Sequence, residues 1–576
     1  MNNATILAGN PYDAPPPFRV RWATPLAAIA VFLTTVLLTV VSFPPYNVSE
    51  MAYVFAAPAA LWAYRRPSFR LFAAVVLGAQ AVAWTLLLAW LHNVTWLGLL
   101  LLGPFVGVWV GTWFLAAWWL LPRLQGHSAF TRIVAVFGLA GLWVFIEWTR
   151  TWLLSGFPWL TLSASQWQRA SILQIAAFTG AGGISFVLMA MNLGFAAYAH
   201  RLIFEPLRGL NRRSQEFFAS MFLLLVCMSI HLQETFNRHA FAVPLARVSF
   251  VQPFIPQNVK WDAAQGPAIL EVLEQGLISA AARRPDLILW PEAVTPWAIK
   301  GDDTVRAWTE NLVRKAGAPL LLGSIAIERE PAGDAWRNGA FLVEPGAGLI
   351  DGYYTKRHLV PFGEFVPFRP VLGWIGKFVP IGGDFQAGTS PAPLVVATRS
   401  TAFVAGPLIC FEDVFPQLAR ESVQAGADVL MVLTNNGWFG EGGAAYQHAA
   451  HSVLRAVETR RPVLRAGNGG WSGWIDEFGA VRAVLTKVTR SSADGPARDV
   501  VSIKPADAAE GTIYFRGSAS VDVTRDARWI GAESFYVQHG DWFVALCAGL
   551  FAAGAGAVSV KPRKPPEPEP EPESAD

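Results

Sequence analysis

Between Ala23 and Leu232 the chain repeats one pattern, a long apolar run closed by a short polar break. Helical runs of about 20 residues have the length that crosses the hydrocarbon core of a bilayer, and a soluble domain has no use for a series of them. The runs fall near 23–42, 51–64, 71–91, 96–121, 131–147, 171–199 and 216–233, which predicts a membrane domain of about seven transmembrane helices over residues 1–235. The second run is short for a crossing and is expected to tilt or to begin earlier. No A-x-A-like site follows the first run and more runs come directly after it, which argues against a cleavable signal peptide. Composition agrees: 53% of residues are hydrophobic and only 15% charged, which excludes a disordered or collagen-like chain. With 45 Lys+Arg against 42 Asp+Glu the net charge is +3, without the basic excess of a nucleic-acid binder. Three cysteines cannot build a disulfide framework.

The basic residues are placed unevenly. Arg19 and Arg21 precede the first run, Arg65, Arg66 and Arg70 separate the second from the third, and Arg123 and Arg132 flank the break between the fourth and fifth. Arg201, Arg208, Arg212 and Arg213 precede the seventh, whereas the loops around 42–49 and 92–95 carry no Lys or Arg. The positive-inside rule then puts the N-terminus in the cytoplasm and the segment after Leu232 outside.

From about Arg247 the pattern changes to short β runs alternating with helices, after a linker at 236–246. VSFVQPF, DLILWPEA, PLLLGSIAI, NGAFLVEP, TAFVAGPLIC and DVLMVLTNN read as strands, with helices near 264–283, 303–316, 414–425 and 444–461. That alternation predicts a layered α/β domain over 247–540, with 508–534 as an insertion. Residues 541–560 are apolar again and are followed by Lys561, Arg563 and Lys564, an eighth crossing back to the cytoplasm. The Pro/Glu tail 561–576 is expected to be disordered.

Three segments of the α/β part carry chemistry. LILWPEAVTPW delivers Glu292 at a strand end, YYTKRHLVPFGEFVPF places Lys356 and then Glu364, and PLICFEDVFP ends a strand on Cys410 with Glu412 and Asp413 beside it. A thiol is a weak nucleophile and a thiolate a strong one. A carboxylate that takes the thiol proton and a lysine that holds an oxyanion complete a nucleophilic set.

These segments are similar to the Glu–Lys–Cys triad of the nitrilase (carbon–nitrogen hydrolase) superfamily. Together with the membrane runs, the stretch WVFIEWTRTWLLSGFPWLTLSASQ, the motif KRHLVPFGEFVPFR and the late HGDW, the chain resembles the apolipoprotein N-acyltransferases. The resemblance implies a multi-span helical membrane domain carrying a nitrilase-like α-β-β-α sandwich. It implies Glu292 as general base, Cys410 as nucleophile, Lys356 as oxyanion stabiliser, Glu364 as a loop carboxylate and Glu412 as a supporting carboxylate, able to orient Lys356 by a salt bridge. The reaction it implies is ping-pong. Cys410 takes an acyl chain from a membrane phospholipid as a thioester, and the α-amino group of a diacylglyceryl-cysteine apolipoprotein then takes it as an amide. It further implies a bacterial inner-membrane enzyme with a periplasmic catalytic domain, both termini cytoplasmic, and no cofactor or metal; a monomer is the simplest assembly. Trp297, Phe362, Phe365, Phe411 and Trp438 are the expected substrate-binding residues, and the aromatic stretches 157–159 and 362–368 the expected lining of the lipid's approach.

Physical chemistry favours a catalytic thiol at the bilayer surface, because drawing about 15 acyl methylenes into water would cost roughly 12 kcal/mol at ~0.8 kcal/mol each. Plainer readings stand beside these. His448 and His451 have a spacing that serves metals, but no further Cys/His cluster completes a ligand set. Glu147 and Arg150, at the end of a run, read as snorkelling groups, and Arg455 and Glu458 as an i, i+3 pair. The chain departs from the family pattern at Asn436, where an Asp is usual, at Phe411, in place of Tyr, at Ser163-Ala164, and in Gly467-Asn468-Gly469-Gly470. Other functions weighed are a membrane-tethered amidase, a transporter with an appended domain, and a pseudoenzyme. The charge-poor runs speak against the second, and the intact Glu292, Lys356 and Cys410 against the third.

Overall fold

The computed structural model describes residues 18–204, 213–260, 262–331, 333–367, 369–373, 385–399, 401–492 and 495–560. Arg208, Arg212, Phe368, the side chains of Arg19 and Arg21, and the tail 561–576 with its three basic residues lie outside that description.

Seven helices among the described residues are long and apolar enough to cross a membrane: Thr24–Val41, Phe69–Leu87, Trp96–Leu124, Ala129–Thr149, Ala181–Phe204, Gln215–Glu234 and Trp542–Ser559. Six of them precede residue 235, one fewer than expected, because the 51–64 run is not one helix. It forms a 3-10 segment, Ser49–Tyr53, and then a separate 8-residue helix, Ala57–Tyr64, with Pro58 in its first turn. Asn192 lets the interruption persist in apolar surroundings. Its Nδ2 donates to Ala52 O at 2.8 Å and its Oδ1 accepts from Ala56 N at 2.7 Å. Non-helical backbone survives in such a place only where protein groups satisfy it.

The broken segment still runs from one face of the bundle to the other. Pro44, just before it, accepts a hydrogen bond from Gln447 of the α/β part, and Arg66, just after it, donates to Pro122 O at the opposite end. The other helix ends alternate in step. Arg132 and Arg201 pair with Glu216, and Arg65 lies over the ring of Phe204, all on the face away from the α/β part. On the near face, Ala181 N donates to Glu458, and Trp148 donates to Asp541 at the start of the last helix. The 171–199 run also differs from expectation: two short helices, Ala170–Leu173 and Ala176–Thr179, lie under the α/β part before the long helix begins at Ala181.

The last helix closes the bundle against Ala129–Thr149 at two glycines. A Cβ on Gly138 would stand 2.5 Å from Leu550 O, and one on Gly141 would stand 2.7 Å from Cys547 O, so only glycine permits the contact.

The connection into the α/β part is shorter than expected. The helix Gln215–Asn237 is followed almost at once by β1 (Ala242–Gln252). The remaining strands are β2 (Leu287–Leu289), β3 (Leu320–Glu330), β4 (Gly333–Glu344), β5 (Gly348–Leu349), β6 (Tyr354–Thr355), β7 (Leu394–Ala397), β8 (Ala402–Ile409), β9 (Val429–Thr434), β10 (Val463–Gly467), β11 (Gly473–Ile475), β12 (Val481–Val484), β13 (Thr486–Ser492), β14 (Gly495–Ser502) and β15 (Gly517–Asp526). One sheet runs β15-β1-β2-β3-β4-β5 with β6 beside β4, and the other β12-β11-β10-β9-β8-β7. The 508–534 segment is therefore not an appendage: β15 pairs antiparallel with β1 along its length and forms the edge of the first sheet.

Alternation along the strands builds the layers. Val429, Met431 and Leu433 of β9 point between the sheets, where they meet Phe250, Leu289, Leu321 and Ile409. Leu430 and Val432 point the other way, into a core shared with the helix Ala444–Thr459 and the membrane helices. The outer face of the first sheet is covered by the helices Gly266–Ala281 and Asp303–Ala316. The architecture is an α-β-β-α sandwich whose second outer layer is also the roof of the bundle.

Candidate active site

Central strands that are apolar on both faces leave chemistry only at their ends. Glu292 follows β2, Lys356 follows β6, Cys410 follows β8 and Asn435 follows β9. Trp290-Pro291 turns the chain after β2, and Gly323 of β3 lies against that turn, where a Cβ would come within 2.5 Å of Glu292 Cα.

Glu292, Lys356 and Cys410 converge and all three are buried. Lys356 Nζ lies 3.1 Å from Glu292 Oε1 and 3.0 Å from Glu364 Oε1. Asn338 of β4 donates from Nδ2 to the same two oxygens, at 2.9 and 3.0 Å. The second oxygen of Glu292 accepts from Asn435 N at 3.1 Å, and that of Glu364 from Val360 N at 2.9 Å. Glu364 is thus part of the site.

Burial opposes ionisation of Glu292, but Lys356 and Lys260, with a hydrogen bond from the Cys410 thiol, hold its carboxyl below the usual carboxylate range. Burial would likewise strip the proton from Lys356, yet Glu292 and Glu364 together raise it well above an ordinary lysine. Cys410 is pushed up to about 12 by burial and by the Glu292 carboxylate, against the pull of Lys356. The resting site is an ion pair beside a thiol, with an ionised base in contact with it.

Cys410 adopts a left-handed backbone, φ 53°, and opens the 3-10 turn Cys410–Val414. That conformation is costly for a non-glycine residue and persists only where its surroundings over-determine it. Glu412 supplies part of that constraint. Its carboxylate accepts from Ile409 N at 2.7 Å, Tyr354 OH at 2.7 Å, Arg357 N at 2.6 Å and His358 N at 3.0 Å. The expected Glu412–Lys356 salt bridge is replaced by this clasp, which fastens the Lys356 loop to the Cys410 turn. Beneath the turn, His448 Nε2 meets Cys410 O at 3.1 Å and Asp413 Oδ1 at 2.8 Å, while Arg465 lies 2.6 Å from Asp413 Oδ2. His448 and His451 are structural: His451 Nε2 accepts from Leu160 N, and among the described residues no cluster could hold a metal.

The aromatic residues divide. Phe362 and Phe365 sit half-buried on the Glu364 loop, and Trp438 is 41% exposed beside Phe439, which packs on Trp90 at the end of a membrane helix. Phe411 is buried, 6.0 Å from Phe157 and 5.0 Å from Phe415, so it joins the turn to the bundle. Trp159 is likewise interior, donating to Gln447 Oε1, and does not line a path. Trp297 lies against Gly266 and lines a cavity with Leu270 and Trp308, beside the outer helical layer. Glu147 and Arg150 do not snorkel. Glu147 accepts from Leu162 N at 2.6 Å, and Arg150 donates to Phe157 O and Trp159 O. Arg455 and Glu458 do pair, at 2.7 Å.

Sequence reasoning missed Lys260, Asn338 and Asn468. Lys260 donates to the main-chain oxygen of Glu292 at 3.2 Å. Asn468, from the Gly-rich departure, accepts from Ile255 N and donates to Asn435 Oδ1, which ties the loop after β1 to that after β9. A polar residue inside an apolar run, as Asn338 is in RNGAFLV, was the available signal.

Residues 247–524 match the Carbon-nitrogen hydrolase family, and residues 35–194 match the family described as Apolipoprotein N-acyltransferase N-terminal domain. The chain is 32% identical over 480 residues to an Apolipoprotein N-acyltransferase of Geobacter metallireducens, covering 80% of this chain and 87% of that one. It is 32% identical over 393 residues to the protein of the same name from Methylococcus capsulatus, with 68% and 73% covered. Among solved structures, an amidase from Nesterenkonia sp. aligns at 17% identity and a TM-score of 0.34, covering 49% of this chain and 92% of that one.

Proposed function

Because the chain belongs to the apolipoprotein N-acyltransferase family, and so catalyses the final acylation of lipoprotein maturation, we propose that Cys410 is the residue through which the acyl group passes. The supporting observation is the convergence of Cys410, Glu292 and Lys356 in one buried cluster roofing a membrane bundle.

The steps follow from the charges. With its thiol near 12, Cys410 holds almost no thiolate at neutral pH, so its proton must leave as the sulfur attacks. Glu292 accepts that proton while Cys410 Sγ bonds the ester carbonyl carbon of a phospholipid. The carbonyl oxygen becomes an oxyanion beside the Lys356 ammonium, which the two carboxylates keep charged. Collapse breaks the ester C–O bond, and Glu292 returns the proton to the departing lysophospholipid oxygen. In the second half the α-amino nitrogen of a diacylglyceryl-cysteine attacks the thioester carbon and Glu292 takes a proton from that nitrogen; the C–S bond then breaks as Glu292 passes the proton to the departing Cys410 sulfur. The products are an amide and the regenerated thiol. Glu364 and Asn338 hold Lys356 in register throughout, and Phe362, Phe365 and Trp438 form an apolar rim for the acyl chain.

The protein is a membrane protein with several apolar helices. We place it in the bacterial inner membrane with the sandwich in the periplasm and both termini in the cytoplasm. Arg66, Arg123, Arg132 and Arg201 gather on the face away from the sandwich, as the positive-inside rule requires of a cytoplasmic face.

The test is intact mass spectrometry of the detergent-purified enzyme mixed with phospholipid. A fatty-acyl mass increase on the wild type, absent from Cys410→Ala, is the expected result. An adduct of equal yield on Cys410→Ala would dismiss the thioester.

A further inference from the structure

The chemistry above uses one lysine, yet two are buried at the site. Lys260 ends the short helix Gln257–Lys260, which follows β1 much as Glu292 follows β2; the two strands are parallel neighbours and deliver their ends to the same edge. The Lys260 ammonium donates to the main-chain oxygen of Glu292 at 3.2 Å. From the same helix, Gln257 Oε1 accepts from Asn435 Nδ2 at 2.8 Å, and Asn435 N in turn donates to Glu292 Oε2. The helix therefore reaches Glu292 twice, at its backbone and through Asn435 at its carboxylate.

The charges facing one another here are Glu292, Glu364, Lys356 and Lys260, with Cys410 among them. Lys356 is shared by both carboxylates. Without Lys260 the cluster holds two anions against one cation in a buried place, where an uncompensated carboxylate takes up a proton. Burial lowers Lys260 itself to about 8, against the opposing pull of Glu292 and Cys410, so it is charged at neutral pH.

We propose that Lys260 is a positioning residue of the acyl transfer, whose positive charge keeps Glu292 ionised and so able to receive the Cys410 proton. The inference rests on the roles given above to Glu292 and Cys410. It has a signed consequence. Acylation needs the Glu292 anion and fails as pH falls through the Glu292 pKa; a neutral residue at 260 raises that pKa and moves the acid limb to higher pH. A close opposite charge shifts a carboxyl by about 1–3 pH units.

The test compares wild type with Lys260→Gln, Lys260→Met and Lys260→Arg in detergent between about pH 3 and 8, a window that reaches below the ordinary carboxylate range. It reads single-turnover acylation of Cys410 by phospholipid and, independently of lipid, the rate of Cys410 alkylation by iodoacetamide. The expected result is an acid limb displaced upward by about one pH unit or more in both neutral variants, in both readouts, and restored toward wild type by Arg. A wild-type limb in Lys260→Gln, which can still donate to Glu292 O, would show that the hydrogen bond matters and the charge does not. Equal loss at every pH, or neutral variants that fail to fold, would make Lys260 purely structural and overturn the proposal. A wild type that never acquires an acyl adduct would instead overturn the acyl-transfer reading, while the alkylation profile still decides the role of Lys260.

Discussion

Asn338 spends both its amide hydrogens' worth of reach on carboxylates, donating to Glu292 and Glu364 from one nitrogen. It separates two anions that would otherwise compete for Lys356. A hydrogen bond to a charged group contributes about 1.5–3 kcal/mol, so Asn338→Leu should slow acylation of Cys410 roughly ten- to a hundredfold, measured by single-turnover mass spectrometry. Unchanged rates would mean that Lys356 alone holds both carboxylates apart. His358, whose backbone Glu412 grips, gives a pH prediction. Its ring packs 3.8 Å from Phe415, and burial lowers its pKa to about 4 from an ordinary 6.5. The unfolded chain then binds the proton more readily than the folded one, so folding loses stability as pH falls from about 6.5 to about 4, by roughly 3 kcal/mol in all. Thermal melts across that range should show a shallower acid decline in His358→Gln than in wild type. Glu292 and Cys410 were legible because each closes an apolar strand, and Lys356 because the motif around it, KRHLVPFGEFVPFR, resembles that of a known family. Lys260 was not: its burial depends on the parallel pairing of β1 with β2, a contact between segments some 40 positions apart that no local pattern records.

At the scale of elements, two buried polar side chains substitute for regular structure. Asn192 supplies the partners missing from the broken crossing. Asn192→Leu leaves one buried N–H and one buried C=O unsatisfied, at about 1–3 kcal/mol each, and should lower the melting temperature in detergent without altering the pH profile of acylation. Arg465 and Asp413 form a pair with no exposure under the Cys410 turn. Arg465→Met leaves the Asp413 charge uncompensated and should cost about 3–5 kcal/mol; a denaturation midpoint equal to wild type would rule that out. The apolar run at 51–64 shows what hydropathy conveys at this scale: it located the crossing, but the break at residues 54–56 is set by a side chain more than 130 positions away. β15 was missed for a related reason. GSASVDVTRD is too polar to read as a strand, and only its position at the edge beside β1 explains that composition.

For the whole molecule the helix Ala444–Thr459 is decisive. It is buried almost all round, with sheet on one side and membrane helices on the other. Two of its polar residues bind the bundle: Gln447 accepts from Trp90 and Trp159 and donates to Pro44 O and Leu87 O, and Glu458 accepts from Ala181 N. The sandwich is therefore not a soluble domain on a tether. Residues 242–540 expressed alone should aggregate or require detergent, as size-exclusion chromatography would reveal. This shared roof also brings the site's loops down to the ends of the helices, with Asn93 donating to Phe439 O beside Trp438.

The closing of the bundle at Gly138 and Gly141 has a consequence for how the protein is made. The helix Ala129–Thr149 emerges early from the ribosome, but the helix that fits its glycine face, Trp542–Ser559, is the last described element of the chain. Until it arrives, the groove faces lipid or an insertion factor. The entire sandwich has been synthesised by then, and it must fold against a bundle that is not yet complete. Translation order thus makes the final crossing a latch: a nascent chain stopped anywhere before Trp542 carries every residue of the catalytic cluster and yet presents an unfinished helical surface to the machinery that disposes of orphaned membrane proteins.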